Sequence, residues 1–187
     1  MFPTIYERFS DSSVVRMVCS LDGKVWMLPP SATVLNPGPD GSWDGGCVFA
    51  GSGLAEIAGD RVALPYIGYG LPHKFPRLVR CGEVGLATWK KHRLVAMAAD
   101  EEGDFVTQPF TLPGDTLRLN FEAKRNGFVK VEVLGKQGRG LDDCDSLFGD
   151  RLDATVTWKG QSSLQAAGGA TLRFRLRSAK LFSFEVV

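Results

Sequence analysis

Three observations predict an all-β fold. Short apolar runs rich in Val, Leu, Phe and Thr recur along the 187 residues, separated at close intervals by turn signals. Turn formers are abundant, with 22 glycines and 10 prolines. No segment carries the sustained three-to-four-residue apolar repeat of a long helix. β-Branched and aromatic residues suit a pleated, half-buried surface, and regularly spaced short strands mark an all-β chain.

In chain order the runs predict strands over residues 2–9, 14–20, 46–57, 61–68, 83–90, 94–99, 105–112, 116–122, 127–134, 154–158, 170–177 and 180–187. Ala58-Gly59-Asp60 suits a tight hairpin, because glycine and aspartate tolerate positive φ. Arg125-Asn126-Gly127 carries Asn-Gly, the strongest short hairpin signal, and Ser178-Ala179 separates two further runs at hairpin length. In "TLRFRLR" the period is two. Leu172, Phe174 and Leu176 face one way, and Arg173, Arg175 and Arg177 the other. A solvated arginine face is favoured over a binding stripe.

The halves differ in texture. Residues 1–92 are loop-heavy, with connections such as "LNPGPDGSWDGG" and "GYGLPHKFPR". Residues 93–187 alternate regularly and read as a β-sandwich whose facing sheets bury alternate residues. No flexible linker is visible between them, so the halves are expected to pack together.

Bulk properties exclude some partners. The formal net charge is +1, from 22 basic and 21 acidic residues, and no basic run stands out for nucleic acid or a membrane surface. No apolar stretch approaches the ~18 residues of a membrane span. "MFPTIYERFSDSS" has no basic segment followed by an apolar one, so no secretion signal is read from it and the compartment stays open. Cys19, Cys47, Cys81 and Cys144 lie far apart and form no zinc pattern with His73 and His92. They are expected to be buried or half-buried free thiols.

"CSLDGKVWMLP" carries Ser20, Asp22, Gly23 and Trp26 at the spacing S-x-D-G-x-x-W. An aspartate that accepts backbone N–H bonds, a glycine free to take positive φ and a ring that packs between sheets serve folding rather than chemistry. "SWDGGCVFAG", "IGYGLPH" and "GEVGLATWKKHRLVAM" follow in order. The series resembles the repeats of five-bladed β-propellers in glycoside hydrolase families 32 and 43 and their bacterial relatives. It departs at Lys91-His92-Arg93, where Asp-Gly is usual. The resemblance implies a partial propeller over residues 1–92, about one blade and part of another. It also implies a sugar-binding funnel with Asp44 at its mouth and Tyr66, Tyr69, His73 and Arg77 on nearby loops. Those residue types suit carbohydrate: rings stack on C–H faces, while carboxylate, imidazole and guanidinium bond hydroxyls. Read residue by residue, the same positions also fit a turn aspartate, two half-buried tyrosines and a surface histidine.

"VEVLGKQGRGLDDCDSLFGDRLDATVTWKG" resembles the C-terminal β-sandwich, of jelly-roll or concanavalin-like type, appended to those propellers. Val131, Glu132, Gly138, Asp143, Cys144, Leu147, Gly149, Asp150, Val156 and Trp158 fit its pattern. No cofactor is called for. A structural calcium on Asp142, Asp143, Asp145 and Asp150 is the lesser alternative to a turn network in which Asp150 bonds backbone N–H groups. Trp158 is expected in the core beside Val156. The alternation of Phe182 and Phe184 also suggests core.

A closed five-bladed propeller needs about twenty strands, and residues 1–92 supply about five. The expectation is therefore a C-terminal fragment of a longer carbohydrate-processing protein, with the sandwich chiefly a structural brace. The alternative is a non-catalytic carbohydrate-binding sandwich module. A glycosidase needs two carboxylates flanking the bond. Asp44 has no evident partner, so this chain alone is expected to be inactive even if its parent is a glycosidase.

Overall fold

The computed structural model describes residues 1–75, 82–166 and 168–187. It is all-β, with antiparallel sheets and no helix among the described residues. The chain divides into two compact units, Met1–Lys91 and His92–Val187.

The first unit holds two sheets. One is the meander β1 (Thr4–Glu7), β2 (Ser12–Arg16) and β3 (Thr33–Leu35). The other is built on β6 (Arg61–Tyr69), which pairs along one side with β4 (Cys47–Ala50) and β5 (Ala55–Ile57), and along the other with β7 (Glu83–Lys90). The single strand expected over 46–57 is thus broken between Ala50 and Ala55, with Gly51 holding the Pro65 carbonyl at 2.7 Å. The Ala58-Gly59-Asp60 hairpin forms as expected, with Gly59 and Asp60 both at positive φ. Val15, Val48, Leu64 and Tyr66 form the core, flanked by Phe2, Val34, Leu35, Ala50, Ala87 and Trp89.

Side-chain hydroxyls join the two sheets. Among the described residues no strand lies on the outer edge of β4, yet its backbone groups there are bonded. Ser13 Oγ donates to the Val48 carbonyl at 2.6 Å and accepts from the Val48 N–H at 3.0 Å. Ser12 Oγ donates to the Gly46 carbonyl at 2.7 Å, and Thr4 Oγ1 accepts from the Ala50 N–H at 3.1 Å. Three short hydroxyl residues on β1 and β2 replace a missing strand. Ser13 and Val48 are fully buried, so no water can take over their bonds.

The second unit is one four-stranded sheet in the order β10 (Asp150–Thr155), β9 (Leu117–Val133), β11 (Leu172–Val186), β8 (Met97–Val106). Leu117, Leu119, Phe121, Val129, Val131 and Val133 of β9 and Leu172, Phe174, Leu176 and Leu181 of β11 form its buried face. Cys144, Val156, Trp158 and Leu164 pack onto that face from irregular segments tied by isolated bridges, such as Val129–Leu147 and Cys144–Trp158.

Two hairpins expected here do not exist. β9 runs straight through Asn126-Gly127 and β11 through Ser178-Ala179, each as one long strand. Between the pairs Arg177–Phe128 and Ala179–Ala123, four residues of β9 face one of β11, which makes a bulge. Asn126 and Ser178 take positive φ, as they would in a turn, but the chain keeps its direction. A Cβ at Gly127 would lie 2.5 Å from the Arg177 carbonyl oxygen and 2.6 Å from that of Ser178, so the bulge requires glycine. The strands expected over 94–99 and 105–112 are replaced by one, β8, which runs through the gap between them and ends at Val106. Register also shifts in β11 between Leu181 and Ser183. Hence Phe184 stays 37% exposed and Phe182 lies under the Arg93 guanidinium at 4.7 Å, rather than both entering the core.

Replacing Ser13 with alanine is expected to lower the stability of the first unit by about 1–3 kcal/mol, the cost of stranding buried backbone groups. Ser10→Ala, at an exposed turn, is the control. Urea denaturation of both variants checks this, and equal stabilities would show that the hydroxyl bridge contributes nothing.

Candidate functional site

The sequence-expected residues fall into two groups. Asp44 and Tyr66 bond each other in the interior. Asp44 is 9% exposed, and its carboxylate accepts the Tyr66 hydroxyl at 2.8 Å and the Ser42 hydroxyl at 3.0 Å. Trp43 stacks on the Tyr66 ring with centroids 5.5 Å apart. Gly68 lets this loop seat against β6, since a Cβ there would come within 2.4 Å of Asp44 Cβ. Burial, and then the hydrogen bond to the Asp44 carboxylate, pushes the Tyr66 phenol up to about 12. Both Asp44 oxygens are committed, so the pair ties the 36–46 loop to β6.

Tyr69 and His73 belong to a different cluster, at the surface. Tyr69 ends β6 and meets the Phe49 ring edge-on at 5.9 Å. His73 lies 5.7 Å from Phe49 and 5.0 Å from Tyr6. The turn after β1 anchors the group. Asp11 takes the Tyr6 hydroxyl on one carboxylate oxygen at 2.7 Å and the Lys74 N–H on the other at 3.0 Å. Its carbonyl accepts the His73 N–H at 2.7 Å. These bonds, the Tyr6 hydroxyl first, hold the Asp11 carboxyl below its usual range. Lys74 Nζ sits 5.6 Å above the Tyr6 ring. The result is a partly exposed group of three aromatic rings and an imidazole, with one carboxylate and one ammonium beside it. Arg77 lies outside the described residues.

Tyr6, Asp11, Phe49 and Lys74 had no sequence signal as site residues. They come from β1, the following turn, β4 and the 70–75 loop, and only the fold assembles them.

The S-x-D-G-x-x-W segment is a self-contained turn. Asp22 accepts the Lys24 and Val25 N–H groups at 2.8 and 2.9 Å, and Ser20 Oγ accepts the Gly23 N–H at 2.8 Å. Cys19 and Met27 close it with paired backbone bonds. The Val25 and Lys24 N–H groups lower the Asp22 pKa. The turn chemistry is as expected, but Trp26 is 41% exposed rather than packed between sheets, and Cys19 is exposed too.

The acidic residues of the second unit are spread among separate partners. Asp143 bonds Lys159, and Asp145 bonds Thr157 Oγ1 at 2.6 Å and the Gly160 N–H at 2.9 Å. Asp150 pairs with Arg93 at 2.7 Å. No group of metal-binding residues occurs among the described residues. Cys144 and Trp158, both buried, complete the β9 edge. The Trp158 indole N–H donates to the Val131 carbonyl at 2.9 Å, and Cys144 Sγ accepts the Val131 N–H at 3.2 Å. Burial pushes the Cys144 thiol up to about 11. The arginine stripe is committed to carboxylates: Arg177 to Glu102 at 2.6 Å, and Arg173 to Asp104 and Glu132.

Set against known protein families, curated proteins and solved structures, the chain matches none.

The Tyr66–Asp44 bond has a pH signature. The folded phenol titrates above its ordinary value of 10.0, so the folded state binds more protons than the unfolded one between pH 10 and about 12. The stability this contributes is fully present below pH 10 and is lost as pH rises through the folded value. Tyr66→Phe should therefore flatten the alkaline fall in stability measured by denaturant melts. An unchanged slope would contradict the assignment.

Proposed function

We propose that this chain contacts carbohydrate through the Tyr6–Phe49–Tyr69–His73 cluster, as the C-terminal, non-catalytic part of a glycoside-hydrolase-like protein of the propeller-plus-sandwich kind. The exposed aromatic cluster carries the reading. Rings offer faces to sugar C–H groups, and the flanking imidazole, ammonium and carboxylate supply polar partners. The antiparallel order β4/β5–β6–β7 is also what part of a propeller blade requires.

The second unit acts mainly as a brace. Its aromatic rings are largely used internally: Trp158 and Phe174 are buried, Arg177 covers Phe128 and Arg93 covers Phe182. The sandwich reading of this unit has its support in the sheet with one face buried under the 134–171 connection. Hydrolysis has no support in the first unit. Asp44 is buried and doubly bonded, and the cluster's own carboxylate, Asp11, is held by Tyr6 and Lys74.

Titration with xylo-, arabino-, fructo- and gluco-oligosaccharides, followed by amide chemical shifts, tests this. At least one series should shift residues of the cluster saturably. Tyr69→Ala and His73→Ala should each weaken that binding about 3- to 10-fold, the share of one aromatic contact. Nitrophenyl glycosides should not turn over. Binding unaffected by both variants, or no binding in any series, would refute the proposal.

A further inference from the structure

The bulge between β9 and β11 constrains its own sequence. Asn126 sits at φ 68°, in the left-handed region that glycine, asparagine and aspartate enter most readily. Gly127 follows it, and a Cβ there would lie within 2.6 Å of the carbonyl oxygens of Arg177 and Ser178. The fold therefore favours the dipeptide Asn-Gly at this point, and that dipeptide has a chemistry of its own.

An asparagine side chain can react with the backbone nitrogen of the next residue. The three asparagines of the chain differ in their capacity for this. Asn36 precedes Pro37, whose nitrogen carries no hydrogen. Asn120 is 5% exposed and pairs with Ser183 in the β9–β11 ladder, and its Oδ1 accepts the Arg93 Nε–H at 2.7 Å. The bulky Phe121 follows it. Asn126 is exposed, and its side chain makes no hydrogen bond among the described residues. It lies in the segment of β9 outside the paired register, which resumes at Phe128. The glycine after it has no side chain to block approach.

We propose that Asn126 is a site of spontaneous covalent modification, deamidating through a cyclic imide formed with Gly127. The Gly127 nitrogen bonds to the Asn126 Cγ, and the Cγ–Nδ2 bond breaks. The Gly127 amide proton leaves with the side-chain nitrogen as ammonia. Water then opens the imide at either carbonyl, which leaves aspartate or isoaspartate at position 126. Nothing is oxidised or reduced. Aspartate also tolerates left-handed φ, and isoaspartate adds one carbon to a main chain that already holds surplus residues at the bulge. The modified chain therefore stays folded and carries one more negative charge. The inference does not depend on carbohydrate binding.

Peptide mapping by mass spectrometry tests it. The full chain is incubated at mildly alkaline pH beside the peptide AKRNGFV, which times the reaction of the unrestrained pair. When the peptide has fully converted, the fragment of the chain that contains Asn126 should show a population heavier by about 1 Da, the exchange of an amide for a carboxylate. Asn126→Gly, which keeps the left-handed conformation, should show no such population. The aged chain should still melt cooperatively. An unmodified Asn126 after full conversion of the peptide, a gain at Asn36 or Asn120 instead, or loss of the cooperative melt in the aged chain would each overturn the proposal.

Discussion

The first unit depends on what happens along the outer edge of β4. A buried strand edge cannot leave its backbone groups unbonded, since each costs about 1–3 kcal/mol. Among the described residues no strand fills that place. Ser12, Ser13 and Thr4 fill it instead, and Ser13 alone both gives to and takes from Val48. The bridge holds the β1–β3 meander against the β4–β7 sheet. It thereby sets Tyr6 of β1 near Phe49 of β4 and brings His73 between them. The proposed sugar-contact cluster is a consequence of that edge closure.

The second unit solves the same problem differently. β10 covers β9 only as far as Glu122, and the rest of that edge is closed by the chain's own connections. Leu147 pairs with Val129, Cys144 and Trp158 take the two backbone groups of Val131, and the Arg139 carbonyl accepts the Val133 N–H. The D-C-x-x-L pattern and the following tryptophan therefore have a physical meaning. They include a set of edge closures, in which Cys144 and Trp158 act through their side chains and Leu147 through its backbone. Arg93, with a side chain 6% exposed, bonds Asn120, Phe121, Arg151 and Asp150 and so ties β9 to β10.

The all-β class was legible because alternation is a local property. The period-two pattern of residues 172–176 needed no knowledge of neighbours, and Trp158 was marked as core by its size and by Val156. Strand continuity was not legible. Asn126-Gly127 and Ser178 have the backbone preferences of hairpin turns, and a bulge uses the same left-handed conformations. Only pairing across the sheet decides between them. The register shift at Phe182 was hidden for the same reason, and with it the fate of Phe184. Of the site, Tyr69 and His73 were visible as residue types. Their partners Tyr6, Asp11 and Phe49 lie up to 67 residues away in the chain and carry no shared motif. Asp44 was expected at a funnel mouth only through the resemblance to propeller repeats. Its burial against Tyr66 could not be read from spacing.

Hydrogen exchange at the Val48 and Ala50 amides tests this account most directly. Both point away from β6 along an edge where no described residue forms a strand, and the Ser13 and Thr4 oxygens are what hold them. The account predicts exchange as slow as that of amides inside the β6 ladder. Fast exchange, typical of an open edge strand, would contradict it. It would also remove the basis for placing Tyr6, Phe49 and His73 in one site.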